Sequence, residues 1–329
     1  MKSWYLGTGA AAMALAGFAW AQQPPDRRAC RQEMLQTCRN DAAGVRACLR
    51  TAFPKLSDEC RKAISDRATT RQPIPAGMRE IAYGPDAKQR MDLMAVPGGK
   101  APVLFFVHGG GWSIGDKRAG EATKGPWARS QGWAFVSANY RLVPQATVEQ
   151  QAQDLASALA WVRANAAKEG LDPDRIVLMG HSAGAHLVAL LGTDTHYLQD
   201  AGVPLTAIRG IVLLDGAGYD VPTQASAEAN IVKPMYDAAF STNPKRQAAL
   251  SPTRHAAAPN LANWLILPIQ SRTDSQAQSK ALASALVKAG AKAEVKVVPG
   301  ESHGSLNKGI GEEDDFASDA VAAFLKGVR

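Results

Sequence analysis

The chain has 329 residues, of which 46% are hydrophobic and 20% are charged. This composition excludes a wholly disordered protein, and the length suffices for one large α/β domain with a small accessory segment. The formal net charge is +7, but residues 22–72 carry 11 Lys/Arg against 6 Asp/Glu, whereas residues 73–329 carry 25 against 24. Because the larger part is almost neutral, we expect no nucleic-acid binding. The basic segment could contact anionic envelope components, although a solvated charged face is the favoured interpretation.

The first residues have the pattern of a signal peptide. Lys2 precedes an uncharged stretch, residues 4–20, and residues 19–21 read Ala-Trp-Ala, which is typical of a cleavage site. We therefore predict a signal peptide over residues 1–21, cleavage after Ala21, and a periplasmic or secreted protein. An uncleaved membrane anchor is the alternative, and the small residues at the cleavage site disfavour it.

Residues 22–72 predict a cysteine-rich helical extension. Helical patterns at residues 27–40 and 56–67 surround the four cysteines of the chain, which are Cys30, Cys38, Cys48 and Cys60. An even number of cysteines in an exported protein predicts two disulfides. Pairing of Cys30 with Cys60 and of Cys38 with Cys48 would join antiparallel helices, but three connectivities remain open. Zinc is less favoured, because the segment has no histidine and no C-x-x-C spacing.

From residue 73 to residue 329 the pattern alternates between strands and helices. Apolar runs typical of strands lie at residues 103–107, 134–137, 176–179, 211–214, 265–269 and 293–298. Helical patterns lie between them, for example at residues 148–167, 183–191, 275–289 and 314–325. Such alternation predicts the α/β class with a mostly parallel sheet flanked by helices. Residues 80–83 and 92–96 predict an antiparallel hairpin ahead of this sheet.

The run Gly-His-Ser-Ala-Gly at residues 180–184 predicts a catalytic serine. It follows the strand pattern at 176–179 and precedes the helical pattern at 183–191. A serine on such a strand–turn–helix forms a nucleophile elbow, with glycines where strand and helix crowd together. Ser182 is therefore the predicted nucleophile.

A second glycine motif, His-Gly-Gly-Gly-Trp at residues 108–112, follows the strand pattern at 103–107. Consecutive glycines allow backbone N–H groups to approach a substrate closely. Next to the elbow, the N–H groups of Gly110, Gly111 and Ala183 are predicted to form an oxyanion hole. We expect His108 to brace this loop and not to act as a base.

The serine needs a base and an acid, which in this architecture follow it in the order acid, then histidine. His303 lies on a glycine-flanked loop after the last strand pattern and is the predicted base. Asp274, between the strand pattern at 265–269 and the next helix, is the favoured acid, because its loop neighbours that of His303 in sheet order. Asp215 is the competitor and Asp220 a weaker one.

Three motifs in this order resemble the α/β-hydrolase serine esterases: residues 108–117, residues 139–142 (Asn-Tyr-Arg-Leu) and residues 180–187. The resemblance covers about residues 78–328 and is nearest to hormone-sensitive-lipase-like carboxylesterases, feruloyl-esterase-like proteins and kynurenine formamidases. It implies an α/β-hydrolase fold, nucleophile Ser182, acid Asp274, base His303 and no cofactor or metal. Where many relatives have His-Gly ahead of the acid, this chain has Gln270 and Ser271, which weakens the assignment of Asp274.

Residues 221–263 are irregular in pattern and are predicted to form a partial lid over a small or aromatic acyl pocket. The aromatic side chains predicted to wall this pocket are Trp112, Tyr140 and Tyr219, with a purely structural role as the alternative. The favoured function is an exported serine carboxylesterase that hydrolyses small or aromatic-acid esters through a Ser-His-Asp triad and an acyl-enzyme. A formamidase or amidase of the same fold and a non-catalytic envelope-binding protein are the alternatives. The sequence makes no prediction of oligomeric state.

Overall fold

The computed structural model describes residues 74–119, 121–226 and 233–328, with positions 32, 33, 36, 56, 57 and 60 nearer the N-terminus. The chain divides into two compact units, Met1–Pro73 and Ile74–Arg329. The predicted signal peptide and Cys30, Cys38 and Cys48 lie outside the described residues, so the disulfides stay a prediction. Across the described parts of the chain, no helix has both the length and the apolar character to cross a membrane.

The second unit is built on an eight-stranded sheet. Its strands are β1 Arg79–Ala82, β2 Arg90–Met94, β3 Ala101–Val107, β4 Ala134–Ala138, β5 Leu171–His181, β6 Ile208–Leu214, β7 Asn263–Leu267 and β8 Lys292–Val295. They are ordered β1-β2-β4-β3-β5-β6-β7-β8. Strands β3 to β8 pair in parallel, whereas β1 pairs antiparallel with β2, and β2 with β4. The predicted parallel sheet and its antiparallel hairpin are confirmed.

Helices occupy most of the connections between these strands. They are α1 Glu121–Ser130, α2 Val148–Ala164, α3 Ala166–Glu169, α4 Ala183–Thr193, α5 His196–Asp200, α6 Val221–Ala225, α7 Lys233–Phe240, α8 Pro244–Ala249, α9 Thr273–Lys288, α10 His303–Gly309 and α11 Phe316–Gly327. Short 3₁₀ turns lie at Leu205–Ala207 and Pro252–His255. The helical patterns found in the sequence match α2, α4, α9 and α11 to within a few residues.

Both faces of the sheet are covered by apolar packing. Along β3 the side chains alternate between two hydrophobic clusters, with Phe105 on one face and Phe106 on the other, and both are fully buried. Period-two alternation between two buried faces is why this strand is apolar at every position. Because strands β3 to β8 are parallel, their carboxyl ends lie at the same edge of the sheet. The residues that follow these strands meet at that edge.

Two segments differ from the sequence analysis. The sequence does not predict helix α1, because Gly125 and Pro126 interrupt its helical pattern. Burial of Ala128 and a hydrogen bond from Lys124 Nζ to the Asn307 carbonyl stabilise this helix. The irregular residues 221–263 contain α6, α7 and α8. Helices α6 and α8 each begin with a side-chain cap and a proline in the first turn, a combination that favours short helices.

Candidate active site

Ser182 lies on a strained turn between β5 and α4. Its φ of 57° and ψ of −120° are unfavourable for a residue with a Cβ. The turn is possible because two glycines allow close backbone contacts. A Cβ on Gly180 would lie 2.3 Å from the Gly184 carbonyl oxygen, and one on Gly184 would lie 2.2 Å from that of Val107. These contacts hold the hydroxyl above the ends of the central strands.

A chain of hydrogen bonds connects three side chains from distant parts of the sequence. Ser182 Oγ lies 3.0 Å from His303 Nε2, and His303 Nδ1 lies 2.5 Å from Asp215 Oδ2. Ser182 follows β5, Asp215 follows β6, and His303 begins α10 after β8. This order and these contacts give the histidine a hydroxyl on one ring nitrogen and a carboxylate on the other, as general-base activation of a nucleophile requires.

Asp215 is fully buried and has an unusual backbone. Its φ is 42°, in the left-handed region that residues with a Cβ rarely adopt. Burial alone would raise the pKa of this carboxyl group, but the hydrogen bond with His303 and the positive charge of Arg272 hold it at about 2. The carboxylate is therefore charged throughout the neutral range and can fix the orientation and tautomer of the imidazole.

The assignment of Asp274 as the acid disagrees with this geometry. Asp274 lies in the first turn of α9 with its side chain 43% exposed, and its Oδ2 accepts from Arg272 Nη2 and Gln224 Nε2. The physical reason is distance along the edge of the sheet. Strand β6 is adjacent to β5 and β7 is one strand farther, so the residue directly after β6 is nearer the serine. The weaker competitor, Asp220, caps the start of α6 instead.

His181 is a site residue that the sequence analysis missed. It is buried beside the imidazole of His303, with ring centroids 4.5 Å apart, and its Nε2 lies 2.8 Å from the His303 carbonyl oxygen. Burial and the nearby His303 lower the pKa of His181 to about 3. A neutral His181 donates from Nε2–H to this carbonyl and holds the loop of His303 in place. The sequence feature that could have indicated this role is the position of His181 directly before Ser182.

The glycine loop after β3 lies directly against the elbow. A Cβ on Gly109 would lie 2.9 Å from Ser182 Cβ, so the two segments approach as closely as backbone allows. Gly110 and Gly111 have φ values of 119° and 58°, which favour glycine. Ala183 begins α4 immediately after the serine. The three predicted oxyanion donors therefore come from the two segments that meet at Ser182.

A buried polar network supports this loop from below. His108 Nδ1 lies 2.7 Å from the Gly109 carbonyl, and its ring stacks on Tyr140 at 4.5 Å. Burial lowers the pKa of His108 to about 4, so the ring is neutral. Asn139 Nδ2 donates to Asp116 Oδ2 at 2.9 Å, and Asn139 Oδ1 accepts from the backbone N–H of Lys117 at 2.5 Å. Polar residues of the motifs at 108–117 and 139–142 thus hold the glycine loop in place, and His108 does so as expected.

Tyr140 takes a supporting position and does not wall an open pocket. It is fully buried, and its hydroxyl donates to the His108 carbonyl at 2.9 Å.

We expect Tyr140→Phe to lower the free energy of unfolding by about 1–2 kcal/mol, because a buried carbonyl loses its donor. Chemical denaturation followed by circular dichroism measures this change. A variant as stable as the wild type would show that the hydrogen bond contributes nothing to the fold.

Of the other predicted pocket residues, Trp112 lies in a dense aromatic cluster and Tyr219 in the hydrophobic core. Trp112 packs edge-on against His186, Tyr236 and Phe240, with ring centroids 4.6–5.4 Å apart, and its Nε1 donates to His186 Nδ1 at 3.3 Å. Tyr219 is fully buried in the same hydrophobic core. The residues of α7 in this cluster come from the segment that the sequence analysis predicted as a partial lid.

The sequence matches the BD-FAE family over residues 91–286, which is more than half of the chain. The chain belongs to the BD-FAE family of α/β-hydrolase carboxylesterases. The matched range includes the glycine loop, the elbow and Asp215, and it ends before His303. The family resemblance drawn from the motifs is therefore confirmed.

Among similar proteins, Esterase LipQ of Mycobacterium tuberculosis is 32% identical over 263 residues, which are 75% of this BD-FAE chain and 61% of LipQ. Isoprenylcysteine alpha-carbonyl methylesterase ICME of Arabidopsis thaliana is 35% identical over 149 residues, 44% of this chain and 34% of that protein. The chain thus spans less than two thirds of the length of these relatives.

Two solved structures share the fold. Esterase 2 of Thermogutta terrifontis with bound propionate has a TM-score of 0.60 at 23% identity and covers 78% of this chain and 94% of its own. The carboxylesterase EstE1, cloned from a metagenomic library, has a TM-score of 0.64 at 20% identity, and the match covers 84% of this chain and 99% of EstE1. The α/β-hydrolase fold expected from the motifs is confirmed.

Proposed function

We propose that this protein hydrolyses carboxylic esters by acyl transfer through Ser182, His303 and Asp215. The observation that carries the proposal is the continuous hydrogen-bond chain from Ser182 Oγ through His303 to a buried, charged Asp215. Membership of the BD-FAE family and similarity to proteins named esterases support the same chemistry.

In the proposed first step, His303 Nε2 removes the hydroxyl proton as Ser182 Oγ attacks the ester carbonyl carbon. The N–H groups of Gly110, Gly111 and Ala183 stabilise the negative charge on the carbonyl oxygen. When the tetrahedral intermediate collapses, the leaving alcohol takes the proton from the imidazolium, and an acyl-enzyme remains. His303 then activates a water molecule that releases the acid. Its side chain is 40% exposed, so water can reach it.

The acyl group that this site accepts is proposed to be short. Met235 of α7 lies against the glycine loop, since a Cβ on Gly111 would lie 2.2 Å from Met235 Sδ. Beside it, the cluster of Trp112, Tyr236 and Phe240 is tightly packed and buried. These side chains occupy space next to the proposed oxyanion hole. An acetyl or propionyl group therefore fits this arrangement better than an aromatic acid.

A fluorophosphonate probe tests the proposed nucleophile. We expect a stoichiometric covalent adduct on the peptide that contains Ser182, detected by mass spectrometry, and no adduct on the Ser182→Ala variant. Heat-denatured protein serves as the control, because labelling must depend on the folded site. Equal labelling of wild type and Ser182→Ala would contradict Ser182 as the nucleophile, and no labelling of folded wild type would favour a non-catalytic role.

Substrate comparison tests the proposed class. We expect kcat/KM for p-nitrophenyl acetate to exceed that for p-nitrophenyl octanoate and p-nitrophenyl ferulate, which share its leaving group, by at least about tenfold, which corresponds to roughly 1.4 kcal/mol. Preference for the ferulate ester would contradict the short acyl group. Faster cleavage of an aryl formamide than of the acetate would instead favour an amidase of the same fold.

A further inference from the structure

Arg272 lies against the proposed catalytic pair but takes no part in the proposed acyl transfer. Its Nη1 lies 3.0 Å from Asp215 Oδ2 and 3.2 Å from the Asp215 backbone carbonyl. The same nitrogen is 3.3 Å from His303 Nδ1. Because Nδ1–H of His303 also donates to Asp215 Oδ2, one carboxylate oxygen accepts from both an imidazole and a guanidinium. The negative charge of Asp215 is therefore shared between two partners.

The second half of the guanidinium is held by Asp274. Arg272 Nη2 donates to Asp274 Oδ2 at 2.9 Å, and Gln224 Nε2 of α6 donates to the same oxygen at 3.1 Å. Arg272 thus lies between two carboxylates. The Asp215 side chain is completely buried, whereas that of Asp274 is 43% exposed. The positive charge of Arg272, which lies within hydrogen-bond distance of His303, is therefore partly neutralised by Asp274, which makes no hydrogen bond to His303.

We propose that Arg272 and Asp274 are positioning residues that set, with opposite signs, the pH at which His303 becomes protonated. The inference rests on the proposed function, since it assigns a role to the surroundings of the proposed base. A positive charge next to an imidazole disfavours the imidazolium, and a negative charge favours it. The Arg272 guanidinium, 3.3 Å from His303 Nδ1, therefore opposes a positive charge on the imidazole, while Asp274 fixes the guanidinium and offsets part of its charge.

Other ionisable groups lie around the imidazole of His303. His181 on β5 and Asp215 after β6 contact the ring itself. Lys124 on α1 bonds to the Asn307 carbonyl in the helix that His303 begins, Tyr219 interacts with Asp215 and Arg272, and Glu301 is two residues before His303 in sequence. Burial lowers the pKa of His181 and raises that of Tyr219, so both are neutral near pH 7. Lys124 and Asp215 keep their charges in the variants below. A change in the protonation of His303 therefore reports on Arg272 and Asp274.

The test follows the protonation of His303 in four proteins. NMR titration of ¹³C-histidine-labelled protein gives the midpoint of His303 without turnover, with the signal assigned by the loss of one of six histidine peaks in His303→Gln. We expect Arg272→Gln to raise the midpoint by about one pH unit, and Asp274→Asn to lower it by about half a unit, because Asp274 is farther away and more exposed. Arg272→Lys, which keeps the charge, should stay closer to wild type than Arg272→Gln.

The acidic limb of the kcat/KM profile for p-nitrophenyl acetate should move in the same directions, since it reports the ionisation of the free enzyme's base. Thermal unfolding of each variant shows whether it is folded. Midpoints that do not move, or that move in the same direction in Arg272→Gln and Asp274→Asn, would overturn the inference. Failure of the proposed function is distinct, because it appears as absence of Ser182 labelling in wild type, and the NMR midpoints still decide the role of Arg272.

Discussion

Asp215→Asn is expected to reduce kcat by about 10⁴-fold, the loss typical of a serine hydrolase whose acid can no longer fix the histidine tautomer. The reason is local. Asp215 Oδ2 lies 2.5 Å from His303 Nδ1, and the carboxylate is fully buried, so no other group can replace it there without moving the loop. An asparagine also presents no negative charge to the imidazolium that forms as Ser182 attacks. Steady-state hydrolysis of p-nitrophenyl acetate measures the loss.

Asp274→Asn is the matched control, because it makes the same chemical change one strand away. Its side chain contacts Arg272 and Gln224 and does not reach His303 in the structure, so we expect kcat at the pH plateau to fall by less than about tenfold. A severe loss in Asp274→Asn together with near-normal turnover in Asp215→Asn would restore Asp274 as the acid. Circular dichroism of both variants excludes unfolding as the cause of either result.

Gly184→Ala is expected to destabilise the protein by about 3 kcal/mol or more, since overpacking against rigid backbone leaves no space for a methyl group. The new Cβ would lie 2.2 Å from the Val107 carbonyl oxygen and 2.5 Å from that of His108. Strand β3 is paired on both sides, with β4 and β5, so its carbonyls cannot move aside. The elbow would be pushed away from the glycine loop, and turnover would fall as well.

Urea denaturation gives the free energy of unfolding, and Gly327→Ala serves as the control. Gly327 ends α11, and a Cβ built there meets no atom within 4 Å. The same substitution at that position should change stability by less than about 1 kcal/mol, in the stabilising direction, because alanine favours helix. A Gly184→Ala variant as stable as the wild type would show that α4 and β3 are not in close contact.

The local features of this site were predictable because they are local. A strand, a turn with Gly180 and Gly184, and a helix are contiguous in sequence, and their steric needs leave a short readable pattern. The parallel sheet was predictable for a related reason: strands buried on both faces are apolar at every position, as in β3. Helix α1 was not recognised, because packing of Ala128 outweighs the poor helix propensity of Gly125 and Pro126.

The partner of His303 could not be decided from the sequence. Asp215 and Asp274 both follow parallel strands and both belong near the same edge, so their spacing along the chain does not separate them. The tertiary structure separates them through strand adjacency, since β6 lies next to β5, and through the left-handed backbone of Asp215. It also places Arg272 between the two carboxylates. The sequence by itself thus determined the fold class and the elbow of Ser182, whereas only three-dimensional contact decided which aspartate the histidine meets.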